Sequence, residues 1–267
     1  FTNAHGGING RPVKFVIEDT QSNPSLAVQF TNAALAKKPA ILLGPGFGPE
    51  CLAITPLVKG GPVDYCLSPT PQPPPHSYIY SAGLGAAAFP LLLLRYFKAK
   101  HWNRVALITS TDASGQIFDT LIDQTLSRPE FAGMQLVERE HFGVTDISVA
   151  AQIARMKAAS PNVAILWTPG VAFGTLLRSA QDAGLDVPLA GGPGNMSYPQ
   201  MAQYANFLPK VLLFPAASPV AQGGVGPGPI RDAQTVYFNA FKKYAGKPDF
   251  LESSVWDAAM LVVEAYR

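Results

Sequence analysis

Residues 41–56 read ILLGPGFGPECLAITP, and this stretch decides the fold. Ala40 to Leu43 is a short apolar run with the length and bounds of a buried strand. Gly44, Gly46 and Gly48 follow within five residues. Pro49 then stands where a helix begins, a position at which its missing N–H costs nothing. Behind it Cys51, Leu52, Ile54, Leu57 and Val58 recur at helical spacing. The stretch is strand, glycine turn, helix. The first N–H groups of a helix lack partners within it, so the turn offers donors to a carboxylate or phosphate. Glu50 counts against that guest, because its own carboxylate competes for the same donors.

The alternation runs outward from this stretch in both directions. On the N-terminal side, 12–18 (PVKFVIE) alternates as a strand does. Asn23–Pro24 opens a helix reaching Lys38, with Leu26, Phe30, Ala33 and Ala34 on one face. On the C-terminal side come a strand at 63–67 ending in Ser68-Pro69-Thr70, an irregular proline loop, and a short strand at 77–81. The pattern then restarts. Helices are expected over 83–100, 115–126, 147–159, 171–183 and 196–204, and strands over 105–109, 134–142, 163–167, 187–190 and 211–214. A glycine-rich loop at 221–229 and two helices, 231–245 and 251–266, close the chain. Repeated βα units imply an α/β fold, and two runs of them imply two parallel sheets flanked by helices. Ligands of such sheets bind beyond the carboxyl ends of the strands. Those ends are Gly44–Gly48, Ser68–Thr70, Thr111–Ser114, Thr168–Gly170 and Gly192–Asn195, all small, polar or glycine-rich.

Composition narrows the function. The chain has 267 residues, 48% hydrophobic and 14% charged, enough for one large domain or two of medium size. A net charge of +2 is too weak a field to argue for nucleic acid or a membrane surface, and no basic cluster carries interleaved aromatics. The longest apolar run, 84–94, contains Pro90 and falls short of the roughly 20 residues that span a bilayer. Two cysteines, Cys51 and Cys66, do not make a disulfide scaffold. One bridge is open to them, but Cys51 falls early in a helix and Cys66 on the following strand, and Cα atoms more than about 7 Å apart cannot be joined, so free thiols are the expectation. There is no GxSxG elbow, HExxH pair or Walker lysine, and His5, His76, His101 and His141 lack ligand spacing. Gly44-Pro-Gly-Phe-Gly48 lacks the third glycine at the spacing of a dinucleotide turn, and Asp64 lies inside a strand rather than at its end. No enzyme, metal or cofactor is expected.

Several segments together resemble the branched-chain amino-acid (Leu/Ile/Val-binding) type of periplasmic substrate-binding proteins. They are GGINGRPVKFVIEDTQSNPSLAV, GPGFGPECLAITP, the strand end LSPT, ARMKAASPNVAILW, AQDAGLDVPLAGG and VWDAAMLVVEAY. The resemblance covers nearly the whole chain in the family's order. It places the start of the family's first lobe, and the last crossing segment, outside this sequence, so the lack of a signal peptide is uninformative. It implies the type I periplasmic-binding fold, two Rossmann-like lobes joined by hinge strands, with solute trapped in the cleft. Lobe one is then 1–82 with 219–267, lobe two 83–218, and the crossings lie near 81–83 and 215–218.

The resemblance also assigns ligand-binding positions. In lobe one a carboxylate is expected at Phe47, Gly48 and Cys51, and at Ser68, Pro69 and Thr70. The family's serines at the helix start are here Phe47 and Gly48, leaving the backbone N–H groups of Gly48 and Cys51 and the Thr70 hydroxyl as donors. In lobe two the acidic residue that pairs a ligand ammonium is replaced by Pro193, and a tyrosine by Ser114. Ser114, Thr168, Pro169, Gly170 and Asn195 remain to meet the solute body, with Ser114, Thr168 or Asn195 meeting a ring hydroxyl. Ser114, Thr168 and Asn195 read equally well as ordinary helix caps. The implied protein is periplasmic, binds a small organic acid (aromatic or apolar, as in the family's aromatic-acid-binding branch) and serves an ABC permease in the inner membrane. The rivals are a ligand-sensing domain of the same fold in a receptor or regulator, and a branched-chain amino-acid binder.

Overall fold

The computed structural model describes residues 1–68, 73, 75–81, 83–216, 225–244, 248 and 250–267. The chain divides into two units, Phe1–Gly85 with Ala217–Arg267, and Ala86–Ala216. The expected strand-end residues Pro69 and Thr70 lie outside the described residues. So do most of the proline loop, Ala82 and 217–218 of the expected crossings, and 221–224 of the glycine-rich loop.

In the first unit, Asn23 caps helix α1 (Pro24–Ala36), its Oδ1 accepting from the N–H groups of Ser25 and Leu26. The buried stripe of α1 runs through Ala27 and Thr31, one position on from the expected Leu26 and Phe30, while Ala33 is exposed. α1 lies against the next helix. Strand β1 (Ile41–Leu43) leads through the glycine turn into α2 (Gly48–Ile54) and a 3-10 turn at Thr55–Leu57. Strands β2 (Val63–Cys66) and β3 (Ile79–Ser81) complete a parallel sheet of order β1-β2-β3.

No strand forms over 12–18. Phe15, Val16 and Ile17 are 57%, 69% and 87% exposed, and Val13 is held by Asn3, whose side-chain amide donates to the Val13 carbonyl and accepts its N–H. Alternation favours extended backbone, but a strand also needs a neighbouring ladder, and none of the described residues provides one here.

The second unit is larger. Helix α3 (Ala88–Ala99) begins five residues later than the sequence suggests. Pro90 fixes that start, since it is tolerated only in a first turn. There follow β4 (Arg104–Ser110), α4 (Ala113–Leu126), β5 (Gln135–Phe142), α5 (Ala150–Ala158), β6 (Val163–Trp167), α6 (Ala172–Asp182), β7 (Leu189–Gly191), α7 (Tyr198–Gln203) and β8 (Leu212–Leu213). All pairings in this sheet are parallel, in the order β5-β4-β6-β7-β8. Ile147, expected at the start of α5, is instead 97% exposed ahead of it. Every residue of the central β6 is buried, because helices cover both faces. One core packs Ile108 and Leu166 against Phe173, Leu176 and Leu177. The other packs Leu107 and Ile165 against Phe97, Phe118 and Ile122.

The chain then returns to the first unit with α8 (Pro229–Tyr244) and α9 (Phe250–Ala265). Trp256 of α9 lies 5.5 Å from the ring of Tyr237 on α8 and 5.3 Å from that of Phe1, which ties the first residue to the last two helices. Among the described residues no helix is long and apolar enough to cross a membrane.

Candidate functional site

The carboxyl ends of the first unit's strands are knitted together by main-chain bonds. Gly44 takes φ +107°, a conformation open to glycine. Its N–H donates to the Tyr65 carbonyl, and the Leu67 N–H donates to the Pro45 carbonyl, both at 2.9 Å. Phe47 is half-buried and stands at the N-cap of α2 with extended backbone and no side-chain cap.

The structure changes the donor set expected here. The N–H of Cys51 donates to the Phe47 carbonyl at 3.1 Å, as an ordinary first helical bond, so it is not available to a solute. Cys51 is also 1% exposed and joined to Cys66, with Cα atoms 6.0 Å apart. The expectation of free thiols is corrected: the turn after β1 brings the first turn of α2 over the end of β2, within bridging distance. Gly48 keeps an N–H that makes no bond among the described residues. Beside it the Glu50 side chain is only 2% exposed, and its Oε1 has no hydrogen-bond partner there. Ser68 is 8% exposed, and its carbonyl accepts from the Ser81 hydroxyl at 2.6 Å.

The central strand of this sheet carries further chemistry. Asp64, in the middle of β2, is 1% exposed, its Oδ1 has no partner, and burial pushes its carboxyl up to about 7. Tyr65 beside it is raised as well, first by burial and then by the charge of Asp257.

In the second unit the loop after β4 is fixed by Asp112. Its Oδ1 accepts from the Ser110 hydroxyl at 2.9 Å and from the Gly115 N–H at 3.0 Å, which caps α4. The cap is Asp112 rather than Ser114, whose half-buried side chain makes no hydrogen bond among the described residues. α4 runs so close to the end of β4 that a Cβ on Gly115 would lie 1.7 Å from the Ser110 carbonyl oxygen.

The structure brings Thr168 and Asn195 together. The side-chain amide of Asn195 donates to the Thr168 carbonyl at 2.6 Å and so joins the loops after β6 and β7. This bond fixes the amide's orientation, since a flip would set oxygen against oxygen. Asn195 does not cap α7; Ser197 does. Thr168 is 2% exposed, Pro169 is half-buried, and Gly170 (φ +67°) is exposed. Pro193 is buried.

Sequence reasoning passed over Trp167, the last residue of β6. Its indole stacks on Phe118 with centroids 3.7 Å apart and lies 6.0 Å from Phe89. The main chain at Gly192 runs alongside that ring, from which a Cβ there would stand 3.6 Å, an ordinary contact distance. The legible signal was a tryptophan closing an apolar strand directly before Thr-Pro-Gly.

A fold of two α/β units, each with small residues at its strand ends, defines a class of bilobal binding proteins. The family model for periplasmic binding proteins matches residues 2–267, and the chain belongs to that family. Its members are substrate-binding proteins, not enzymes. Solved structures agree on the fold. An extracellular ligand-binding receptor from Rhodopseudomonas palustris HaA2 is similar, with 18% identity and a TM-score of 0.85 over 97% of this chain and 73% of that one. LivJ from Streptococcus pneumoniae, a branched-chain amino-acid transporter substrate-binding protein in complex with isoleucine, is 20% identical with a TM-score of 0.81, covering 99% of this chain and 75% of its own. The leucine-binding protein LivK from Thermotoga maritima is 18% identical with a TM-score of 0.82, covering 98% and 74%. The fold is the type I periplasmic-binding fold. A search of curated protein sequences finds no match.

Proposed function

We propose that this protein is the extracytoplasmic solute-binding component of an ABC importer, and that it holds a small carboxylate with an aromatic or apolar body at its strand ends. The observation that carries the solute class is electrostatic. In the second unit the position where relatives by resemblance carry an acid is the buried Pro193. The acids at the strand ends already have partners: Asp112 caps α4, Asp146 accepts the Gly143 N–H at 2.9 Å, and Asp119 accepts the Thr109 hydroxyl at 2.8 Å, meets His141 at 2.9 Å and lies 3.7 Å from Arg139. A buried ammonium without a counter-charge costs several kcal/mol. The unbonded Gly48 N–H suits an anion, and Trp167, Val171 and Tyr198 give the second unit's loops an apolar character. The Cys51–Cys66 bridge fits an oxidising compartment such as the periplasm, where a permease of the inner membrane is the partner.

One observation favours a second reading. The orphaned Glu50 Oε1 beside Gly48 is an acceptor that an ammonium would satisfy. That makes a branched-chain amino acid, like the isoleucine held by the LivJ relative, the rival solute.

A thermal-shift panel of benzoates, hydroxycinnamates, fatty acids, leucine and valine separates the two. A solute at a hundred times its dissociation constant adds about 2.7 kcal/mol of stability. The largest shift is expected from an aromatic acid. A largest shift from leucine or valine overturns the aromatic-acid reading in favour of an α-amino acid.

A further inference from the structure

We infer that the Cys51–Cys66 disulfide is the positioning element of the strand-end site in the first unit, an inference that rests on reading the glycine turn as a solute site. The bridge links α2 to the last residue of β2. Its two sulfurs sit against the two loops that make the site. Cys51 Sγ lies 3.3 Å from the Pro45 carbonyl oxygen, inside the glycine turn, and Cys66 Sγ lies 3.4 Å from the Ser68 carbonyl oxygen, at the end of β2. A disulfide has no S–H, so these are packing contacts rather than hydrogen bonds.

Both cysteines are at most 1% exposed, and the bridge works from beneath without touching solute. The main-chain bonds around it hold the near ends of the loops: Gly44 to Tyr65, and Leu67 to Pro45. They do not reach the start of α2, where the Gly48 N–H is carried. That helix has seven residues and no side-chain cap, and it packs along α1. Packing leaves its first turn without a cap, and the covalent link at Cys51 ties that turn to the end of β2. A donor fixed in advance binds more tightly than one that must be ordered on binding.

The test compares wild type with Cys51→Ala/Cys66→Val and with Val263→Ala, a truncation of a buried side chain on α9 of the same unit. Benzoate affinity is measured by calorimetry well below each unfolding midpoint, and hydrogen exchange is followed in a peptide spanning 41–52. The double variant is expected to bind about tenfold more weakly, with faster exchange at 44–50. Val263→Ala is expected to match wild type in both despite its lower midpoint. Wild-type exchange in the double variant overturns the inference, as does an equal loss of affinity in Val263→Ala. If benzoate does not bind wild type at all, the solute reading fails, and the exchange arm alone decides the role of the bridge. If the double variant does not fold, the same exchange measurement on wild type reduced with a phosphine and alkylated replaces it, with the same overturning result.

Discussion

The stability of the first unit should fall as pH rises through the neutral range, and Asp64 is the reason. Its side chain is 1% exposed in the central strand of a three-stranded sheet, with Oδ1 unpartnered, and its carboxyl is raised from 3.8 to about 7. A group whose folded value is raised holds its proton more tightly in the native state than in the unfolded one. Between those two values the native state binds more protons, so stability is lost with increasing pH and levels off above the folded value. At about 1.36 kcal/mol per unit, the whole loss is about 4 kcal/mol. Asp64→Asn keeps the shape and removes the titration. Its stability relative to wild type is expected to grow by about 4 kcal/mol from pH 4 to pH 8. Urea unfolding under non-reducing conditions, read by circular dichroism and by hydrogen exchange in β2, measures both proteins across that range. Asp257 is shifted in the same direction by partial burial, but it is common to both proteins and cancels in the difference. Parallel pH profiles for wild type and variant would refute the reasoning, as would a wild-type stability that rises from pH 4 to pH 7.

Glu50→Gln neutralises the buried carboxyl two residues from the Gly48 donor, and it is expected to tighten benzoate and weaken leucine, as isothermal calorimetry would show. Gly115→Ala drives a methyl group into the Ser110 carbonyl. It is expected to cost the second unit about 3 kcal/mol, the upper end of overpacking, read as a lowered calorimetric midpoint. Asp112→Ala should lower the same midpoint by removing the α4 cap, worth about 1 kcal/mol. Asn195→Ala leaves the buried Thr168 carbonyl without its donor and is expected to cost about 1–3 kcal/mol, again by calorimetry.

Much of the architecture was legible because it is written in local signals. Gly44 to Pro49 announced a strand, a turn and a helix, and Asn23–Pro24 announced the start of α1; both stand in the structure. Apolar runs such as 105–109 and 163–167 became buried parallel strands, since a strand covered on both faces shows no alternation. The failures lie where a second segment decides. Residues 12–18 alternate well, but no ladder meets them among the described residues. On α1 the fully buried positions are Ala27 and Thr31, while the expected Leu26 and Phe30 are half-buried, because burial is set by what packs on the helix.

The site was less legible than the fold for the same reason. Its loops could be located, since small residues follow each strand. Which atoms remain free could not, because hydrogen bonds to distant carbonyls consume donors that look available in sequence. Cys51 lost its N–H to Phe47, and Asn195 committed its amide to Thr168, 27 residues away.

The sequence alone determined the order of strands and helices, the parallel sheets they build and the exclusion of metal and nucleophile motifs, because periodicity and turn chemistry act over a few residues. Only the tertiary structure decided that Cys51 and Cys66 meet, that Asp64 and Glu50 keep carboxyl oxygens buried without partners, and that Trp167 closes its strand against Phe118. Burial and pairing depend on what comes alongside from elsewhere in the chain, and no local pattern encodes that.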